Sequence, residues 1–209
     1  MRILHGISMC MLLAMIAAVP VTLVAQSVVD SLVRKDTGAR PRVYWEDLKE
    51  EQKNAVLSTR RLLPDAVEYY QGRFALSDDE RTFKLLDSMA MGMNRGRDLR
   101  SLYFYLLNRV CRESDGALAE VLAPYIAQTI LADPPYVLTY LKRDRAILHT
   151  YGRHLGWEFA FKAQRLSDLP WTLADFKQAI ANSLSGEPAL RPTMDELFRV
   201  IDRAFHDID

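Results

Sequence analysis

Apolar residues return at three- and four-residue steps along most of this chain, and sustained two-residue alternation is missing. The C-terminal stretch is the clearest case. Met194, Leu197, Phe198, Ile201, Phe205 and Ile208 fall on one stripe, with Asp195, Arg199, Asp202 and Arg203 opposite. Such a helix lies on a core and turns a charged back to water. Leu99, Leu102, Tyr103, Phe104, Leu106, Leu107 and Val110 cover most of another helix, and Leu118, Val121, Leu122, Tyr125, Ile126 and Ile130 make a broad stripe on the next. These two belong in the middle of the fold.

Helix-start chemistry recurs between the stripes. Ser77-Asp-Asp-Glu80 and Thr193-Met-Asp-Glu196 both have the spacing of a capping box, and Thr172 with Asp175 is a weaker version. Asp133 stands before Pro134 as an N-cap before a first-turn proline, and Asp98 is placed as a further N-cap. Gly92, Gly96, Gly116 and Gly186 supply breaks, and Gly152 and Gly156 weaken the helix around them. The predicted helices are 46–63, 66–71, 78–91, 98–112, 117–131, 134–149, 155–164, 173–183 and 194–206. The expected fold is one all-α domain of about seven to nine helices, either an irregular, orthogonal bundle or a short solenoid-like stack. The hairpin over 115–141, with Asp133-Pro-Pro at its corner, is similar to one unit of a HEAT-type solenoid. No second copy follows at a fixed period.

The first 25 residues are of another kind. They carry one basic residue, Arg2, and no acid, and from Ile7 they are apolar apart from Ser8, Cys10 and Thr22. That is the pattern of a signal peptide over 1–25, cleaved between Ala25 and Gln26. The alternative is an uncleaved signal anchor, since the apolar run is just long enough to cross roughly 30 Å of hydrocarbon. Lipidation at Cys10 is disfavoured by Met9, because a small residue is needed there. The expected organisation is therefore 1–25 signal, 26–44 mobile lead-in and 45–209 all-helical domain. The chain is expected to be periplasmic or secreted, or else membrane-anchored through the retained N-terminal helix.

Composition then narrows the chemistry. Lys and Arg number 27 against 27 Asp and Glu, which removes any global attraction to nucleic acid, and 49% hydrophobic residues exclude wholesale disorder. Cleavage would leave Cys111 as the only cysteine, so there is no disulfide framework, and its apolar surroundings mark it as a buried, inert thiol. His149 and His154 lie five apart, not four, and neither H-E-x-x-H nor Cys-x-x-Cys occurs. Phosphate-binding glycine loops and the serine-hydrolase elbow are also missing. No metal or cofactor is expected.

The remaining candidate residues are few. Tyr151, His154 and Glu158 share one helical face, and a carboxylate beside an imidazole would raise its pKa and form an acid–base pair. Glu120 is a lone glutamate on a helix, the placement of a general acid in some glycan-cleaving enzymes, but the sequence supplies it no second carboxylate. Arg95, Arg97 and Arg100 cluster around Gly96 as a possible anion site, with Lys142, Arg143 and Arg145 as a second basic group. Tyr44, Trp45, Tyr69, Tyr70, Phe74, Trp157 and Trp171 are candidate anchors of an aromatic binding patch. The expected function is a non-enzymatic exported module that binds another protein or an envelope component. A small envelope hydrolase using Glu120, or His154 with Glu158, is the alternative.

Overall fold

A computed structural model describes residues 42–77, 79–114 and 116–207. Residues 1–41, on which the expected signal sequence and the first part of the expected lead-in fall, lie outside the described residues, as do the side chains of Arg97 and Asp98. Among the described residues the protein is an all-helical bundle. A 3-10 turn, Trp45–Asp47, precedes α1 (Glu50–Leu57), α2 (Pro64–Tyr70), α3 (Glu80–Gly92) and α4 (Arg97–Glu113). Then come α5 (Gly116–Glu120), α6 (Ala123–Ala132), α7 (Pro134–Arg143), α8 (Arg145–Ala163), α9 (Leu173–Ser183), a second 3-10 turn, Pro188–Leu190, and α10 (Arg191–His206).

Among the described residues ten α-helices replace the expected seven to nine, because two predicted helices are split and one pair is fused. The predicted 117–131 helix breaks between Glu120 and Ala123. Pro124 lacks the N–H that would bond back to Glu120, so a new helix starts there with proline in its first turn. The predicted 134–149 helix ends at Arg143, where Asp144 caps α8 by accepting from Ile147 N at 3.1 Å. α8 then runs unbroken through Gly152 and Gly156. The predicted 46–63 helix is a 3-10 turn and the short α1.

The caps follow local chemistry with three corrections. Asp133 accepts from Tyr136 N at 3.0 Å, and Thr172 with Asp175 completes its reciprocal box. At α3, however, the cap is Asp79, which accepts from Thr82 N at 2.7 Å, while the Ser77 hydroxyl donates to Asp79 at 2.6 Å. At α4 the N-cap position belongs to Gly96 rather than Asp98. Thr193 does not cap α10 either: it is buried within the first turn of a helix that starts at Arg191.

α8 is the hub. It packs on α10 most extensively and also on α4, α6 and α7, while α3 crosses both α4 and α6. Gly152 and Gly156 explain the α8–α10 contact. A Cβ on Gly152 would lie 2.5 Å from Val200 Cγ1, and one on Gly156 2.5 Å from both Ala204 Cβ and the Ile201 carbonyl oxygen. The residues read as helix breakers are thus what lets two backbones touch. Inside, Tyr151 is fully buried and donates its hydroxyl to Asn108 Oδ1 at 2.7 Å.

The N-terminal edge of the domain is also earlier than expected. Arg42 Nη1 donates to Thr139 Oγ1 at 3.0 Å, and Tyr44 OH donates to the Tyr136 carbonyl at 2.9 Å. In return, Tyr136 OH donates to the Val43 carbonyl at 3.0 Å. Residues 42–44 therefore belong to the helical domain rather than to a mobile lead-in.

Candidate functional site

Most of the aromatic candidates are core. Tyr44 and Trp45 are each 2% exposed, and Tyr69, Phe74 and Trp171 are buried as well. Tyr44 stacks with Tyr136 at 4.7 Å between ring centres, Trp45 meets the half-buried Tyr70 edge-on at 5.5 Å, and Tyr69 meets Phe74 edge-on. An aromatic patch built from Tyr44, Trp45, Tyr69 and Trp171 is thereby corrected: these rings are buried in the bundle. Burial accordingly pushes the Tyr44 phenol up to about 12. Of the three tryptophans only Trp157 is exposed, at 41%.

The arginine cluster also disperses. Arg100 points inward, pairs with Asp133 and lies 4.3 Å over the Tyr136 ring, so it is structural. Arg95 stays at the surface, donates to the Arg61 carbonyl at 3.4 Å and, with Arg61, Gly96 and Leu99, lines an open concavity of about 470 Å³. The Arg97 side chain is outside the described ones. In the second basic group, Arg143 is held by Asp47 and Arg145 by Glu196.

Tyr151, His154 and Glu158 do not converge. Tyr151 turns to Asn108, and Glu158 accepts from the Ser167 hydroxyl in the loop after α8. His154 sits against α5. Its burial, aided by the Arg153 charge, lowers the imidazole pKa, while the Ala119 carbonyl that accepts from the ring works in the opposite direction. The expected upward shift by a carboxylate is replaced by a downward one with a different cause. A neutral imidazole at pH 7 cannot act as the cationic partner of Glu158.

Glu158 instead joins Glu120. The two line one open groove of about 400 Å³ together with Phe83, Asp87, Val121, Pro124, Tyr125 and Gln128. α3 contributes Phe83 and Asp87, one turn apart. α5 ends at Glu120, because Pro124 forces the break there, and α8 supplies Glu158 from the other wall. Tyr125 reaches Asp87, and burial first, then that carboxylate, raises its phenol pKa. The sequence offered Glu120 no second carboxylate; folding brings it two, from helices 33 and 38 residues away. Asp87 carried no signal in the sequence, since only the α3–α6 crossing makes it a neighbour.

Beside the groove, α8 exposes a second apolar side. Ile147, Leu148, Tyr151, Leu155 and Phe159 are buried, yet Trp157 and Phe161, one turn apart, are 41% and 40% exposed. Helical steps of three and four place His154, Trp157, Glu158 and Phe161 on one side of α8. His154 meets Trp157 edge-on at 6.3 Å. Phe161 was missed in the sequence, although a helix apolar on two sides is a legible sign that one side lacks an intramolecular partner. Leu166 follows, 71% exposed, just past a helix end in which Leu166 N donates to the Phe161 carbonyl at 2.8 Å.

Among the described residues no group of three or more His, Cys, Asp or Glu is placed to hold a metal ion, and no helix is long and apolar enough to cross a membrane. Comparison of the chain with family models, with curated proteins and with solved structures gives no match.

Proposed function

We propose that this is an exported, non-enzymatic binding module whose docking face is the outer side of α8 around Trp157 and Phe161. One observation carries the reading. Of the four large apolar side chains exposed among the described residues, three (Trp157, Phe161 and Leu166) belong to the last two turns of α8 and the turn that ends it. Scattered single apolar residues on a surface are ordinary, whereas a contiguous group with a tryptophan is the composition of an interface core. Export rests on the 1–25 sequence pattern. We also read the architecture as an irregular bundle rather than a stack, since α3 reaches α6 and α8 packs on α10 across intervening helices.

The test is capture by the full chain, tagged at its C-terminus and expressed in the source organism, from envelope extract. A saturable protein or envelope partner lost with Trp157→Ala and Phe161→Ala supports the reading. A folded protein whose partners are indifferent to both substitutions overturns it.

A second reading, an envelope hydrolase of glycan or peptide, is favoured by the presence of Glu120 and Glu158 in one groove. Glycoside cleavage commonly uses two carboxyl groups flanking the scissile bond. Turnover of cell-wall glycan or peptide that disappears with Glu120→Gln would establish it, and turnover unaffected by that change would remove Glu120 from it.

A further inference from the structure

Resting on the α8 docking face, we infer that its occupant is a basic, apolar peptide segment of a partner protein: Lys or Arg side chains enter the groove of Asp87, Glu120 and Glu158, and apolar side chains cover Trp157 and Phe161. The argument is charge complementarity. The chain as a whole is neutral, with 27 basic and 27 acidic residues. Across the described surface, more than half of the carboxylates outside the groove are matched by cations: Asp65 and Glu68 share Arg81, Asp47 takes Arg143, Glu113 takes Arg109 and Asp202 takes Lys177. The groove gathers unmatched ones in one place. Its lining holds three carboxylates and no Lys or Arg.

None of the three is in an ion pair among the described residues. Asp87 has the Tyr125 hydroxyl, Glu158 has the Ser167 hydroxyl, and Glu120, exposed at the end of α5, has no hydrogen-bonding partner among the described residues. The cations nearest in sequence are engaged elsewhere: Lys84, three residues before Asp87, pairs with Glu80 at 2.7 Å, and Lys162, one turn beyond Glu158, extends to the Ser167 carbonyl at 3.4 Å. Three uncompensated carboxylates around one concavity concentrate negative potential there, which attracts cations and repels acidic partners. Phe83 and Tyr125 in the same lining, and Trp157 on the same side of α8 as Glu158, present aromatic surface to the stems and heads of Lys and Arg. Glu158 joins the two halves of the surface, since it lines the groove and lies on the face of α8 that carries Phe161.

The test uses the purified full chain and three labelled twelve-residue peptides: one alternating Lys with Leu and Phe, one with every Lys replaced by Glu, and one with every apolar residue replaced by Ser. Fluorescence anisotropy reads binding. The Lys peptide is expected to bind saturably and at least about tenfold more tightly than either control. Its affinity is expected to fall about tenfold in an Asp87→Asn/Glu120→Gln variant and on raising salt from about 0.05 to 0.5 M, where screening shortens to a few ångströms. Both substituted side chains are exposed, so the variant keeps its fold, as circular dichroism will verify. Equal binding of the Glu peptide, or no effect of the double variant, overturns the inference. If Trp157→Ala still weakens binding in that case, the docking face survives and only the basic occupant falls. Absence of binding by any peptide, or self-association lost with Trp157→Ala, also overturns it, the latter naming a second copy as occupant.

Discussion

Gly156 and Ala204 stand so close across the α8–α10 interface that a Cβ on the glycine would lie 2.5 Å from the alanine Cβ and equally near the Ile201 carbonyl oxygen. Two carbons in contact prefer about 3.5–4.0 Å, so the helices can approach this far only while position 156 has no side chain. Gly156→Ala is expected to destabilise the protein by about 1–3 kcal/mol, the usual cost of overpacking, despite the better helix propensity of alanine. Gly152→Ala meets Val200 instead, a half-buried side chain that can be trimmed. Urea denaturation of Gly152→Ala, Val200→Ala and the double variant should therefore show the pair to be less destabilising than the sum of its parts.

His154 sets a pH dependence. Its pKa in the fold lies below the ordinary 6.5, chiefly through burial, so below pH 6.5 the unfolded chain binds a proton that the native chain refuses. Stability is then full above about 6.5 and falls as pH drops from there to the lowered native value. His154→Gln should flatten the denaturation midpoint across that window. Asp79, held down by Ser77 and the Thr82 amide, and Asp47, held down by Arg143, add their losses only in the carboxylate range below it. A decline between pH 6.5 and 5 that persists in the glutamine variant would show another group responsible.

Cys111 should be silent toward alkylating reagents. Burial pushes its thiol up to about 12, leaving almost no thiolate at neutral pH. Iodoacetamide at pH 8, followed by peptide mass mapping, is expected to label Cys111 only in denaturant. Labelling of the native protein at a comparable rate would contradict its burial.

Arg165 ends α8 in the left-handed region, with φ at 62°, where residues bearing a Cβ pay a steric cost. Arg165→Gly is expected to raise stability by about 0.5–1 kcal/mol, seen as a higher melting temperature. A drop instead would mean that the arginine side chain contributes more than its backbone costs.

How much was legible in the sequence follows from where each decision is made. The all-helical class and the caps at Asp133 and Thr172 depend on residues within one turn of each other, so periodicity and capping chemistry reveal them. Gly152 and Gly156 look like breakers to a local reading because what makes them favourable, the α10 backbone, lies about fifty residues on. Tyr44 and Trp157 are equally good anchors by residue type. Only the Tyr136 and Tyr140 rings that enclose the first, and the lack among the described residues of any ring over the second apart from His154, separate them. The groove was illegible for the same reason: Asp87, Glu120 and Glu158 sit on three helices, and no spacing along the chain links them.

The bonds from Tyr44 to the Tyr136 carbonyl and from Tyr136 to the Val43 carbonyl have a mechanical consequence. Together with Arg42 on Thr139 and on Glu187, they fasten the first described residues side by side to α7 and to the turn before α10. A pull exerted on the chain ahead of Arg42 therefore loads several bonds in shear at once, rather than peeling a loose end. Force arriving from that direction meets the interior of the bundle before any helix can unravel.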